Sequence, residues 1–122
     1  MRYEIAIDLK ERSLDIIKKL NLPIKEEDFF CVRSYGSSTK RTIARCHGTS
    51  KVLQLALNIN PVYVLEFLSE RFDKLNEKEK IKIIIHELMH IPKNKGGGFR
   101  HHNFVNEKNV NKLYEKYINN KI

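Results

Sequence analysis

The sequence predicts a single α+β domain, and three observations carry that expectation. Its 122 residues are too few for two independent cores. Around residues 77–91 and 105–117 apolar side chains recur at helical spacing. Between residues 29 and 67, short runs rich in Val, Ile, Phe and Tyr read as strands. A hydrophobic share of 41% beside 31% charged residues is ordinary globular usage, which excludes disordered, collagen-like and membrane-embedded chains.

The first segment carries two patterns at once. Tyr3, Ile5, Ile7 and Leu9 alternate like a strand, whereas Ile5, Leu9, Ile16 and Leu20 fit a helical face. A helix over about 4–20 is the favoured reading, closed by Asn21-Leu22-Pro23 because the residue before a proline avoids helical backbone angles. Phe29 to Arg33 and Thr42 to Cys46 flank the polar, glycine-containing Ser34–Ser38, so a β-hairpin is expected. Residues 50–58 predict a short helix capped by Ser50, and Pro61 to Phe67 a strand. Asn76, with Glu79 three residues on, opens the most periodic stretch: Ile81, Ile84, Ile85, Leu88 and Ile91 define a helix over about 77–91, stopped by Pro92. Lys93 to Gly98 is a loop with three consecutive glycines, and Val105, Val110, Leu113 and Tyr117 outline a last helix.

Charge and cysteine usage narrow the setting. The balance of 23 Lys plus Arg against 15 Asp plus Glu, +8, favours anionic partners, and nucleic-acid contact is one possibility it raises. Seven of the cations follow Pro92 without forming an unbroken basic run. Cys31 and Cys46 are too few for a disulfide scaffold and lack CxxC spacing, so a reduced, partly buried pair is expected. No apolar run reaches the roughly 18 residues of a membrane span, and the first residues lack the order of a signal peptide. A cytoplasmic location and no membrane partner are the corresponding expectations.

His86-Glu87-Leu88-Met89-His90 matches HExxH, in which two histidines one helical turn apart project from one face and can share a zinc ion. Glu87 is offset by about 100° around the helix, so it is placed to take a proton from water rather than to bind metal. Zinc lowers the pKa of a bound water to about 7, which makes peptide hydrolysis feasible at neutral pH with a carboxylate in reach. With 5 His and 11 Glu in the chain, the pattern arises by accident in roughly 2% of chains of this composition. Its phase argues further against accident: Ile81, Ile84, Ile85 and Leu88 form one apolar face, leaving His86 and His90 together on another.

A catalytic zinc takes three protein ligands and leaves one position for water. His101 and His102, 11 and 12 residues after His90, are candidates for the third, since Pro92 stops the helix and Gly96-Gly97-Gly98 permit the chain to reverse. Glu107 and Glu115 compete, although solvated helix carboxylate is their commoner role. His47 has only adjacent Cys46 near it and reads as structural. Arg33 and Arg41 flank the expected turn and could hold a substrate carboxylate or phosphate, though arginines so placed are more often solvated.

The run Ile85 to Pro92, followed by Gly97-Gly98-Phe99-Arg100-His101-His102, resembles a family of small predicted prokaryotic zincin-like metallopeptidases. Arg33 to Ser37, Ala44 to Gly48, Tyr63 to Glu66 and Phe72 to Leu75 are similar to the same family in order and spacing, so the likeness covers nearly the whole chain. The resemblance implies an α+β, zincin-like fold: a small, mostly antiparallel sheet packed against the HExxH helix, with N- and C-terminal helices and a distant kinship to SprT-like protease domains. The family pattern has Arg-Pro-His where this chain has Arg100-His101-His102, which implies His102 as third ligand, with His101 the alternative because histidine replaces the proline.

The function expected is that of a zinc metallopeptidase acting on a peptide or protein substrate, with His86, His90 and His102 holding zinc and Glu87 as general base. The strand Tyr63 to Phe67 is expected nearest the cleft, offering its edge to an extended peptide. The alternative is a basic, zinc-stabilised module that binds nucleic acid or a protein partner and hydrolyses nothing. Glu87 speaks against it, because a structural site fills its coordination with Cys or His and has no use for that carboxylate.

Overall fold

Alternation prevails for the first few residues, and helical periodicity takes over after them. In the computed structural model, which describes residues 1–92 and 105–120, β1 (Arg2–Ile5) pairs antiparallel with β2 (Phe29–Tyr35), and α1 (Ile7–Leu20) begins only after the non-helical Ala6. The helix expected from residue 4 is therefore shorter by three residues, because a neighbouring strand outweighs local propensity there. Leu9, Ser13, Ile16, Ile17 and Leu20 form the buried stripe of α1. Asn21 ends it in the left-handed region (φ 53°), its N–H reaching Lys18 O and that of Leu22 reaching Ile17 O.

The expected hairpin is replaced by a longer-range arrangement. β2 and β3 (Ala44–Gly48) are both strands, but β4 (Tyr63–Leu68) lies between them, giving the order β1-β2-β4-β3. β2 runs parallel to β4, with Phe29 opposite Tyr63 and Cys31 opposite Leu65, while β3 is antiparallel to β4 with Cys46 opposite Leu65. The sheet is thus mixed, with two antiparallel pairings and one parallel. The segment between β2 and β3 does not make a tight turn. It folds over the end of β4, where Leu68 N–H bonds to Ile43 O and the Arg71 guanidinium holds the carbonyls of Thr39 and Lys40.

One face of the sheet supplies Phe29, Cys31, Leu65 and Phe67 to the core. That same core includes Leu9 and Ile16 of α1, Ile84 and Leu88 of α4 (Glu77–Met89), and Val110 and Tyr117 of α5 (Glu107–Asn119). Cys31 and Cys46 flank Leu65 in one row. Two strand spacings put them about 10 Å apart, beyond disulfide reach, and both are free.

Two features of the periphery differ from ordinary packing. α2 (Lys51–Leu57) is capped by Ser50, whose hydroxyl accepts from Leu53 N–H, yet none of its residues is buried. Gln54 bonds inward to Thr49 O while Val52, Leu55 and Leu57 stand exposed. On the opposite face of the sheet, Tyr3, Ile5 and Phe30 are likewise open to solvent, although Ser34, Glu66 and Leu68 on that face are buried.

Arg33 joins three elements. Its guanidinium bonds to Asp8 on α1 at 2.7 and 3.0 Å and to Asp73, just after the short α3 (Ser69–Phe72), at 3.1 to 3.3 Å. It is neither solvated nor free to bind substrate, contrary to both roles the sequence suggests. Arg33→Ala should cost about 1 kcal/mol in urea unfolding, since the carboxylates it pairs with remain partly in water. Hydrogen bonding to Arg33 also holds the Asp8 carboxyl below its ordinary 3.8. Such a group stabilises the fold above that value and loses its contribution as pH falls through the lower, folded-state value. The wild-type and variant stabilities should therefore converge in acid.

Candidate active site

The site candidates sit at the end of α4, and the helix is built to reach them. Asn76 accepts from Glu79 N–H at 2.9 Å, fixing the first turn. Ile81, Ile84, Ile85 and Leu88 then bury one stripe. His90 closes the helix with right-handed helical angles (φ −71°, ψ −17°), and its N–H bonds to Glu87 O at 3.1 Å in a tightened last turn. Helical phase is thereby kept through His90. The rings of His86 and His90 lie 5.1 Å apart, centroid to centroid, inclined at 70°. A pair of imidazoles so spaced can converge on a single ion.

Glu87 is 5% exposed and projects into the protein. Its Oε2 is 4.0 Å from Nε2 of His86. Burial pushes its carboxyl up to about 7. A dication held beside it would favour the charged form and draw that value down again. Opposite it is β3: the Cys46 thiol is pushed up to about 12, mainly by burial and further by the Glu87 charge.

That placement corrects the expectation about the cleft. β4 has partners on both sides, so Tyr63 to Phe67 offers no free edge. Among the described residues, the sheet edge near Glu87 with no strand beyond it belongs to β3. The composition carried the signal: Tyr63-Val64-Leu65-Glu66-Phe67-Leu68 is almost continuously apolar, as a central strand buried on both faces should be. β3 carries Arg45 and His47, side chains suited to an edge.

These atoms can bind a divalent ion and move a proton, and the whole chain bears on which protein does so. The family model described as "Putative phage metallopeptidase" matches residues 1–121. The chain belongs to that family. No curated protein and no solved structure gives a match. The name of that family suggests a metal-dependent peptide hydrolase, and α4 carries donor types that suit a metal: two imidazoles one turn apart beside a buried carboxylate.

The remaining candidate residues divide clearly. His101 and His102, with the preceding glycine-rich loop, lie outside the described residues. Among the described residues no group of three or more His, Cys, Asp or Glu side chains is arranged to hold a metal ion. Glu107 and Glu115 are exposed on α5 and border a shallow depression with Lys108 and Lys112, consistent with solvated carboxylates. His47 belongs to another network, on the sheet face opposite Cys46. Its Nε2 is 2.8 Å from Oε1 of Glu66, and Arg45 Nη1 is 3.8 Å from the same oxygen. Burial pushes the Glu66 carboxyl up, but the Ser34 hydroxyl, His47 and Arg45 outweigh burial and hold it below its usual range. No helix among the described residues is long and apolar enough to cross a membrane.

Proposed function

We propose that this family member is a zinc-dependent peptidase of zincin-like architecture, with His86, His90 and His102 holding the metal. His101 is the alternative third ligand. Glu87 carries the reading: a carboxylate kept 5% exposed beside the paired imidazoles serves no purpose in a site that only stabilises the fold. A bound zinc ion supplies Lewis acidity toward the scissile carbonyl and makes water acidic enough to be activated near neutral pH.

The chain's own groups do the rest. Glu87 takes the proton as water attacks the carbonyl carbon, and returns it to the departing amine nitrogen. Its burial excludes bulk water that would otherwise compete for the proton. The outer edge of β3, which no other strand among the described residues pairs with, offers its backbone groups to an extended substrate, which pairs as an added strand and brings its scissile bond over α4. Specificity then depends on side chains beyond the hydrogen-bonded backbone.

The test joins metal content to cleavage. Purified protein should hold about one zinc per chain, the count for a single three-ligand site. It should cleave an unfolded protein substrate, lose that cleavage to a chelator and recover it with zinc. A zinc-loaded protein that cleaves no unfolded or DNA-bound protein, yet binds nucleic acid with a steep salt dependence, would instead establish the non-catalytic basic module.

A further inference from the structure

The strand at the other edge of the sheet has properties that catalysis does not use. All four residues of β1 are exposed, with Tyr3 61% and Ile5 71% open to solvent. Among the described residues no other strand flanks its outer side. The Ala6 N–H bonds to Cys31 O, and the register continues through Glu4 opposite Arg33 and Arg2 opposite Tyr35. Alternation along an antiparallel pair therefore directs the backbone groups of the even residues toward β2 and those of Tyr3 and Ile5 outward. An unpaired, partly apolar edge is a template for another strand, and proteins commonly guard it with like charges. Here the charges are of opposite sign and flank Tyr3 symmetrically.

We propose that two copies of this chain join edge to edge through β1, making one continuous eight-stranded sheet about a two-fold axis. A two-fold contact requires the same strand to be complementary to itself. Because the outward backbone groups belong to odd-numbered residues, only odd residues can exchange hydrogen bonds across the axis. Centring the pairing on residue 2 sets Arg2 against the partner's Arg2. Centring it on residue 4 sets Glu4 against the partner's Glu4. Centring it on residue 3 sets Arg2 against the partner's Glu4, and Glu4 against the partner's Arg2.

The last register is thus the one of these three that satisfies the backbone and brings no like charges together. It also sets Tyr3 against the partner's Tyr3 and Ile5 against the partner's Met1, so exposed apolar side chains meet on one face. Directly opposed residues stand about 4.5–5.5 Å apart at Cβ, close enough for both ion pairs and ring contact. The Arg2 side chain is already extended along this edge, bonded to Glu4 at 3.1 Å and lying over the Tyr35 ring at 4.2 Å. The joined sheet ends in β3 at both extremities, so the edge assigned to substrate stays open in each copy.

Sedimentation equilibrium of the full chain, from micromolar concentrations to about 1 mM, reads the association directly. Wild type should pass from monomer to dimer over that range. Arg2→Glu and Glu4→Arg should each raise the dimer dissociation constant by about tenfold or more, since each turns two attractive cross-strand pairs into two repulsive ones. Mixed in equal amounts, the two variants should associate with each other as tightly as wild type does with itself. The double variant carrying both changes should again self-associate, which also shows that the substitutions leave the fold intact. A wild type monomeric throughout overturns the proposal. So does a dimer that neither single change weakens, which would place the contact elsewhere, as on the apolar side of α2. Failure of the mixed variants to pair overturns it as well.

Discussion

Glu87→Gln should keep zinc and the fold while losing cleavage by about 10²-fold or more, the scale of a lost general base. The substitution preserves shape and removes only the capacity to accept a proton. The metal-free protein gives a second reading. Burial raises the Glu87 carboxyl from 4.5 to about 7. A carboxyl raised in the folded state is no burden below pH 4.5 but costs stability progressively as pH rises toward 7, where the unfolded chain ionises it more readily. Without metal, Glu87→Gln should therefore match wild type near pH 4 and exceed it above pH 7, by up to about 3 kcal/mol. Thermal unfolding of chelated protein at both pH values measures the difference. Equal cleavage by variant and wild type would refute the proton-transfer role of Glu87 or expose a contaminating protease.

His86→Ala and His90→Ala should each take zinc occupancy from about one per chain toward zero. The loss in affinity should exceed the 10- to 100-fold typical of removing a group that merely orients a ligand. Competition with a chromogenic chelator reads it. His102→Ala should weaken zinc more than His101→Ala. The reverse order would make His101 the third ligand, and no effect from either would promote Glu107 or Glu115. Circular dichroism should show α4 intact in all four variants, because its buried stripe of Ile81, Ile84, Ile85 and Leu88 is untouched.

Local information made α4 legible from sequence. The 3.6-residue period, the Asn76 cap and the Pro92 stop all lie within one 17-residue window, and the spacing of His86 and His90 follows from the helix alone. The sheet was legible in its strands but not in their partners. Alternation tells which side chains share a face, and says nothing about which strand lies alongside. Nothing near residues 29–48 announces that residues 63–68 will separate β2 from β3. The same gap misplaced the cleft, because identifying its edge requires the strand order. At the N-terminus two periods overlapped, and the strand prevailed only because β2 was there to receive it.

The position of β4 also governs when the sheet can assemble. β2 and β3 are complete by residue 48, yet in the final structure they do not pair with each other. Phe29 must wait for Tyr63, 34 positions later, before the central parallel pairing can start. Parallel strands so separated close a long loop before any pairing compensates for the lost chain entropy, which slows folding relative to a run of hairpins. During synthesis, the emerging chain accordingly holds two strands whose inner edges have no native partner until residues 63–68 leave the ribosome, and that interval is when it is most open to mispairing.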